Sequence, residues 1–406
     1  MHPGHREAFN AAFTEGLWRR QTAELERRAG AAAGFRLAET PVFLTDDLAG
    51  RLVEAAEGIV AEVSSPALRT RMLAAVPERW NAPGMEELPE LAQVDLAVVA
   101  DAEGRLVPKL IELQGFPSLS AFEVFQADVW SECLEGIPGL PGGAWSPYFS
   151  GLSRAGYLDL LRRTIVAGED PGHVVLLDLN PREQKTYIDF AATERLLGVA
   201  PVDPRDLVRE GRRLFRTAGG RRVPVRRIYN RVVFDELIRT GAELPFDFRD
   251  DLDVSWVPHP NWYWTWSKHS IPFLQHPAVP KATILADLPG VPEDLTARYV
   301  LKPLFSFAGG GVNVDPTPED VARIPAAMRS EWCLQEKIAY APCLRAGDGG
   351  GVKVEIRMMF YRPPGERRLT LGLNLCRLSR GKMLGVDFNK DFTWVGSSVG
   401  LRAVRP

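Results

Sequence analysis

Cysteine and histidine are scarce in this chain of 406 residues, which has four cysteines and six histidines. The cysteines, at Cys133, Cys333, Cys343 and Cys376, form no C-x-x-C pair, and the histidines form no H-E-x-x-H motif. We therefore expect free thiols in a reducing cytoplasm and no zinc site of the usual kinds.

An excess of charge of either sign and a long apolar run are also missing. The formal net charge is −3, which gives no electrostatic reason to expect a nucleic acid or an anionic membrane as partner. No apolar run is long enough to span a bilayer, and the first residues lack the apolar core of a secretory signal. Hydrophobic residues make up 45% of the chain and charged residues 25%, as in ordinary globular proteins. The length predicts two or three subdomains.

A glycine-rich segment follows a predicted strand near residue 300. Residues 299–301 read as a buried strand that holds Lys302 in place, and Gly309, Gly310 and Gly311 follow. A lysine ammonium suits a phosphate, and backbone N–H groups of glycines can turn inward to form an anion-binding nest. It is not a Walker P-loop, because the lysine precedes the glycines. The alternative is a hairpin with a flexible tip.

A second informative segment predicts a hairpin of two strands over residues 94–114. The turn lies at residues 101–104, Asp95 is at the head of the first strand, and Glu112 and Gln114 are near the end of the second. Side chains alternate along a strand, so Glu112 and Gln114 point to the same face. Carboxylate and amide oxygens suit Mg²⁺ held together with substrate phosphates. Alternatively, these acids are only solvated.

A buried parallel strand is predicted at residues 173–180, followed by a helix over residues 183–197 and a short strand at residues 200–202. This is a βαβ unit, but it lacks G-x-G-x-x-G and is not interpreted as dinucleotide-binding. A ligand is expected at the carboxyl end of its strand, near Asp178, Asn180 and Arg182. In the following strand, Arg231 either grips a substrate carboxylate or forms a surface ion pair with Asp235 or Glu236.

The remaining segments are helices, an aromatic stretch and a second hairpin. Helices are predicted over residues 9–33, 46–63, 147–167, 267–274 and 318–329. The aromatic residues 262–266 could stack bases, although a packed loop is favoured. A strand over residues 352–360 and its partner over residues 369–378 would bring Arg357 and Arg377 to one cleft.

Taken together, these motifs resemble those of the ATP-grasp ligases, in which two α+β lobes hold ATP between them. An ordinary ATP-grasp chain ends with its E-x-N metal strand, whereas here Glu112-Leu113-Gln114 looks like that strand moved to the front. This circularly permuted order is similar to that of the glutathionylspermidine synthase family and related permuted ATP-grasp proteins. The implied fold class is α+β (α/β): a circularly permuted ATP-grasp fold with a Rossmann-like βαβ domain. The motifs extend from about residue 93 to the C-terminus, so the resemblance covers most of the chain.

The resemblance implies a role for each matching residue. Lys268 and Lys302 match the two nucleotide-binding lysines. Gly309, Gly310 and Gly311 match the phosphate-covering loop, and Gln335, Glu336 and Ile338 match the hinge that reads adenine. Asp95, Glu112 and Gln114 match the Mg²⁺ ligands. Arg357, Arg377 and Asn389 match residues that face the γ-phosphate and the acyl-phosphate.

The chain departs from the family at three positions. Gln114 stands where the family has Asn, Gln93 stands where glutathionylspermidine synthase has Arg, and residues 305–307 carry no Arg in the glycine loop. Two of the expected phosphate-binding cations are therefore absent from the sequence.

These implications define a predicted organisation and function. The predicted units are residues 1–130, with the helical N-terminus and metal-ligand lobe; residues 131–257, with the βαβ substrate domain; and residues 258–406, with the ATP-binding lobes. The predicted function is ligation of a small-molecule or peptide carboxylate to an amine, with ATP and Mg²⁺ as cofactors, through an acyl-phosphate. The alternatives are a nucleotide- or peptide-binding protein that has lost ligation, a small-molecule kinase on the same scaffold, and a Rossmann-type oxidoreductase.

Overall fold

The computed structural model describes residues 1–143, 145–305, 310–381, 389 and 391–404, and it mixes helices with strands throughout. The α-helices, labelled in chain order, are α1 (Pro3–Ala12), α2 (Glu15–Ala29), α3 (Asp46–Val63), α4 (Pro66–Leu73), α5 (Phe122–Leu134), α6 (Arg154–Ile165), α7 (Tyr187–Leu197), α8 (Phe234–Thr240), α9 (Trp262–Thr265), α10 (Leu295–Arg298) and α11 (Pro318–Ala322).

The strands join into five sheets in the part of the chain that is described. They are β1 (Val42–Phe43), β2 (Leu91–Ala100), β3 (Leu106–Gln114), β4 (Trp145–Ser146), β5 (Val174–Leu177), β6 (Ala200–Val202), β7 (Val208–Glu210), β8 (Arg213–Ala218), β9 (Arg221–Val225), β10 (Arg227–Asn230), β11 (Ser255–Val257), β12 (Ala282–Ile284), β13 (Tyr299–Pro303), β14 (Trp332–Glu336), β15 (Leu344–Arg345), β16 (Gly351–Tyr361), β17 (Thr370–Ser379), β18 (Gly396–Ser398) and β19 (Gly400–Ala403).

The largest sheet combines the two predicted hairpins. Its order is β18-β17-β16-β2-β3, with β15 added on β16, and its neighbours along this order are antiparallel. The β2–β3 turn lies where it was predicted, with Gly104 N–H donating to the carbonyl of Asp101 at 3.0 Å. Asp95, however, lies in the middle of β2 and not at its head, because the strand already begins at Leu91. A strand from the first third of the chain therefore pairs directly with one from its last fifth.

The parallel sheet confirms the predicted βαβ unit. Its order is β11-β10-β5-β6, and all three pairings are parallel. The connecting helix α7 ends at Gly198, whose φ of 77° is the left-handed conformation that glycine adopts at helix C-termini. The helix is shorter than predicted, because residues 181–183 form a separate 3₁₀ turn.

A third sheet, β12-β14-β13, carries the predicted lysine strand, and its two pairings are antiparallel. Lys302 in β13 lies opposite Cys333 in β14. Two small sheets, β1-β19-β4 and β7-β8-β9, complete the set. The three ranges predicted as separate units stay a prediction, and the largest sheet takes its strands from the first and the third of them.

Two core clusters fix the largest sheet from either side. On one face, α3 and α5 pack through Leu52, Ile59 and Trp130 against apolar residues of β2 and β16. On the other face, Met359 and Leu373 pack in the cluster that also contains residues of α6, α7 and β5. The second cluster thus joins the largest sheet to the parallel sheet, and the polar residues described below lie on that second face.

One predicted helix has the predicted bounds, whereas the other four are shorter or interrupted. Helix α3 runs over the predicted residues, and the Thr45 side chain accepts from Leu48 N–H. The predicted helix 9–33 is two helices, because Thr14 caps a new one. The helices predicted over residues 147–167, 267–274 and 318–329 are also shorter: the first is α6 alone, the second is a 3₁₀ turn containing Pro272, and the third breaks before Pro325.

Candidate functional site

A bulge in the β2–β3 hairpin places its polar residues on one face. Asp95 lies opposite Glu112 and Gln93 lies opposite Gln114, and the register shifts between Asp95 and Leu96. Leu110 and Leu113, three residues apart in β3, both belong to the core on the other face. Odd spacing on one face requires an extra residue, which the bulge supplies. Glu112 and Gln114 are thereby turned to the same face as Asp95.

Asp95 is the centre of an ion-pair cluster formed with β16 and β17. Arg357 donates from Nε and Nη2 to its two carboxylate oxygens, each at 2.7 Å, and Arg377 Nη2 donates to Oδ2 at 2.5 Å. Arg377 also donates to Glu355, whose other oxygen accepts from the Tyr340 hydroxyl at 3.0 Å. The prediction that Arg357 and Arg377 converge on one place is confirmed.

The charges of this cluster shift the pKa values of its members. Burial acts to raise the pKa of Asp95, but the two guanidinium groups hold it below its ordinary value. Burial raises the pKa of Glu355, against the influence of Arg377. Burial lowers the pKa of Arg377, but Glu355 and Asp95 together raise it above its ordinary range. Arg377 thus stays charged, and both guanidinium groups are bound to carboxylates.

The two predicted nucleotide lysines are both buried at this cluster. Lys302 Nζ donates to Gln335 Oε1 at 3.0 Å, across the β13–β14 pair. Lys268 Nζ lies 3.5 Å from Glu112 Oε1. Burial lowers the pKa of Lys302; Lys268 lowers it further, whereas Cys333, Glu112 and Glu355 oppose the shift. The lysine strand and the carboxylate hairpin are therefore close enough for their charges to interact.

The start of the glycine-rich loop closes one side of this site. Leu301 and Asn313 exchange backbone hydrogen bonds of 2.9 Å, which tie the lysine strand β13 to the chain that follows the glycines. Phe305 stacks on His269 at 5.2 Å between ring centroids. Gly310 is exposed, and Gly311 has a φ of 72°. Gly309 lies outside the described residues.

A cavity lies between the loop and the carboxylate strand. Its walls come from the end of β3, the aromatic helix α9 and the start of the glycine-rich loop: Glu112, Leu113, Gln114, Phe116, Tyr263, Trp266, Ser267, Leu304 and Phe305. The aromatic residues 262–266 are buried, with Trp262 fully so, but residues 262–265 form helix α9 where a packed loop was favoured.

The predicted hinge residues have different positions. Gln335 is buried in β14 as the partner of Lys302. Glu336 ends β14, pairs with Arg298 at 3.1 Å and donates its backbone N–H to the Lys281 carbonyl. Ile338 follows two residues beyond the strand and is half-buried. The role of this segment in reading adenine stays a prediction.

Asn389 and Arg231 have structural partners. Asn389 Oδ1 accepts from the Ser379 hydroxyl at 2.9 Å and from the backbone N–H groups of Arg380 and Gly381, which fixes the end of β17. Arg231 is 3% exposed, donates to the Pro117 carbonyl and lies over the Phe116 ring. The surface ion pair considered for Arg231 is therefore wrong, and its role toward a substrate carboxylate stays a prediction.

The carboxyl end of β5 has a buried carboxyl group and an open cavity beside it. Burial raises the pKa of Asp178 to about 8, although Arg231 opposes this shift. Asn180 and Arg182 line the cavity with Arg205 and Arg216. The Asp203 carboxylate nearby is held by Arg205 and by Asn180 N–H. The structure thus divides the predicted group, with Asp178 inside and Asn180 and Arg182 at the surface.

The predicted magnesium ligands differ in how well they fit a metal. Gln114 Oε1 is buried and has no hydrogen-bond partner in the described part of the chain, so it is available to a cation or a donor. Glu112 lies beside it with Lys268 as its counter-charge. Asp95 fits less well, because both its oxygens are already bound by arginines. Among the residues described, no three His, Cys, Asp or Glu side chains are grouped to hold a metal ion.

Three residues of this site were not predicted as site residues from the sequence, although Gln93 was noted as a departure from the resembling family. Tyr340 binds Glu355, Ser118 accepts from Arg357 Nη1 at 3.3 Å, and Gln93 Nε2 donates to the Ser118 carbonyl at 2.7 Å. Only Gln93 carried a usable signal, since it precedes Asp95 by two residues and shares its face.

The comparisons with known proteins concern the fold of the whole chain. No protein-family model matches the chain, and no curated protein matches it. A solved structure of a glutathione synthetase-like effector from Globodera pallida, in its apo form, is similar with a TM-score of 0.55 and 11% sequence identity. The match covers 97% of this chain and 98% of that chain. The chain therefore shares its overall fold with that structure, and its mixture of helices and sheets is of α+β class. No helix in the described ranges has the length and apolar character needed to cross a bilayer.

Proposed function

We propose that this chain is an ATP- and Mg²⁺-dependent ligase that joins a carboxylate to an amine through an acyl-phosphate. The observation that carries the proposal is the convergence of Lys268, Lys302, Glu112 and Gln114 from three separate segments. The glutathione synthetase-like fold, matched over nearly the full length of both chains, supports a ligase scaffold. The circularly permuted ATP-grasp order is part of this proposal, and the pairing of β2 with β16 supports it.

The residues of the chain would act mainly by binding and positioning. Lys302 and Lys268 would neutralise phosphate oxygens, and their burial strengthens each contact because water is excluded. Glu112 and Gln114 would hold the Mg²⁺ ion, which supplies charge neutralisation at the phosphates. Gly310 and Gly311 would offer backbone N–H groups to the phosphates.

The covalent chemistry would occur between the substrates. A carboxylate oxygen would form a bond to the γ-phosphorus while the bond to ADP breaks, and an amine nitrogen would then displace phosphate from the acyl carbon and lose a proton. Arg377 is half-buried, whereas Arg357 is buried, so Arg377 is the guanidinium that would meet the transferred phosphoryl group. Arg357 would hold Asp95, and through it Arg377, in position.

A binding protein without ligase activity is the second candidate, and one observation favours it. Both arginines expected at the γ-phosphate are bound to Asp95. A protein of this kind would bind Mg²⁺ and nucleotide without releasing ADP.

Two measurements separate these functions. Calorimetric titration with a non-hydrolysable ATP analogue, with and without Mg²⁺, tests the site itself, with Lys302→Ala and Glu112→Ala expected to lose binding. ADP release is then measured with mixtures of carboxylates and amines. Release that needs both substrates supports the ligase, release with one substrate indicates a kinase, and binding without release indicates the second candidate. Absence of any binding by the unmodified protein would contradict the proposal.

A further inference from the structure

Two glutamines that face each other at the end of the carboxylate hairpin each have a buried amide oxygen with no hydrogen-bond partner among the described residues. These oxygens are Gln93 Oε1 and Gln114 Oε1, on side chains 0% and 8% exposed. Gln93 and Gln114 are direct cross-strand partners on the same face, and such partners have Cβ atoms about 4.5–5.5 Å apart. Two neighbouring acceptors without donors are costly in an interior, so this arrangement is suited to a cation.

The orientation of the Gln93 amide follows from its contacts. Its Nε2 donates to the Ser118 carbonyl at 2.7 Å, and only the amide nitrogen can donate to a carbonyl. The oxygen must therefore face the other way, and it is the acceptor left without a partner. Gln93 thus offers a fixed oxygen two residues before Asp95 in the same strand.

Unlike these amide oxygens, both carboxylate oxygens of the nearby Asp95 have hydrogen-bond donors. Arg357 binds both its oxygens, Arg377 binds one of them, and the side chain is fully buried. Coordination of a metal by Asp95 would require breaking charge-assisted hydrogen bonds and leaving Arg357 buried without its counter-charge.

From these contacts we infer that the divalent cation bound with the nucleotide is held by Gln93, Glu112 and Gln114, and that Asp95 is a positioning residue for the two arginines. This inference rests on the proposed function, since it assumes that a metal–nucleotide complex enters the site. One carboxylate and two amide oxygens are hard ligands of the kind that Mg²⁺ and Mn²⁺ accept, with phosphate and water completing the shell.

The test measures Mn²⁺ binding by electron paramagnetic resonance in the presence of a non-hydrolysable ATP analogue. We expect Gln93→Met to weaken Mn²⁺ binding at least about tenfold and Gln93→Glu, which keeps an oxygen at the same place, to restore it. Asp95→Asn is expected to change the affinity less than about threefold, a difference too small to represent loss of a ligand. Gln21→Met, at another buried glutamine on α2, serves as the matched control for loss of a buried amide.

A further variant keeps the test decisive if Asp95→Asn does not fold. Asp95→Leu with Arg357→Met removes both buried charges together, so neither is left unpaired by the other's loss. We expect this double variant to bind Mn²⁺ within about threefold of the unmodified protein, and loss of binding would overturn the inference.

Three further outcomes would contradict the inference. Loss of Mn²⁺ binding in folded Asp95→Asn would show that Asp95 is a ligand. Normal binding in Gln93→Met would show that Gln93 is not a ligand and that only water occupies the space beside its oxygen. Either result would overturn the inference. Both results leave the proposed function intact if the nucleotide analogue still binds in calorimetry. If the unmodified protein binds neither analogue nor Mn²⁺, the inference and the proposed function fail together.

Discussion

Arg357 and Asp95 form a two-point ion pair, with Nε donating to Oδ1 and Nη2 to Oδ2, each at 2.7 Å. The two residues are opposite each other on β16 and β2 and are separated by 262 positions in the sequence. They are 6% and 0% exposed. This pair fastens the N-terminal hairpin to the C-terminal hairpin directly beneath the candidate site.

The first prediction concerns the stability of this pair. Asp95→Ala leaves the Arg357 charge buried without its partner, so we expect the free energy of unfolding to fall by about 3–5 kcal/mol. Removal of both charges, in Asp95→Leu with Arg357→Met, is expected to cost less than Asp95→Ala alone. Urea denaturation measures these differences. Asp159→Ala breaks an exposed pair with Arg163 and is expected to cost less than about 1 kcal/mol. Equal losses in the two single variants would contradict the prediction.

The second prediction concerns nucleotide binding by Lys302. Lys302→Ala removes a buried ammonium and leaves Gln335 Oε1 without its donor, so we expect a nucleotide affinity lower by about tenfold to a hundredfold. Calorimetric titration gives the affinity directly. The exposed lysine at position 185 provides the control, and Lys185→Ala is expected to bind like the unmodified protein. An unchanged affinity in Lys302→Ala would remove Lys302 from the site.

The third prediction is a pH dependence that comes from His269. Burial lowers the pKa of this imidazole to about 4, and Arg71 adds to the shift. Since the ordinary pKa is about 6.5, the unfolded chain binds a proton that the folded chain rejects between these values. The contribution of His269 to stability is therefore complete above pH 6.5 and is lost as the pH falls toward 4.

The measurement compares unfolding of the protein and of His269→Phe across this pH range. The difference in unfolding free energy is expected to change in favour of the variant by up to about 1.4 kcal/mol for each pH unit below 6.5. Phenylalanine keeps a ring against Phe305 but cannot be protonated. Parallel pH profiles for both proteins would show that His269 does not titrate in this range.

The fourth prediction concerns Gly311, in the loop after Lys302. Its φ is 72°, and a Cβ there would lie 3.0 Å from Pro303 Cγ, next to the lysine strand. Gly365 has a similar φ of 83° but open space around a Cβ. We expect Gly311→Ala and Gly365→Ala to share the cost of the left-handed backbone, about 1–2 kcal/mol, and only Gly311→Ala to weaken nucleotide binding. Thermal unfolding and calorimetry measure the two effects, and weaker binding in Gly365→Ala would assign the effect to general destabilisation.

Much of the local structure was predictable, because it depends on neighbours in the sequence. The β2–β3 turn, the α3 cap at Thr45, the parallel βαβ unit and the strand carrying Lys302 all follow from short-range patterns of apolar, turn and capping residues. The errors in helix length have local causes as well. Thr14, Pro272 and Pro325 end or interrupt helices that apolar periodicity alone would continue.

The predicted site was partly legible for the same reason. Glu112 and Gln114 share a face because of strand alternation, and Arg357 and Arg377 meet because their strands form a hairpin. The partners of these residues were not legible. These partners come from distant segments of the chain. They include the two arginines that bind Asp95, the hydrogen bond from Lys302 to Gln335, and the packing of Arg231 against residues 116–117.

The sequence by itself determined the strands, the turns and the chemical types available at their ends, because backbone conformation responds to adjacent side chains. Only the tertiary structure decided that β16 lies beside β2, and this pairing commits Asp95 to Arg357 and leaves the oxygens of Gln93 and Gln114 without partners. The physical reason is that strand pairing across 262 positions is chosen by burial of whole sheet faces. No short-range pattern contains that choice.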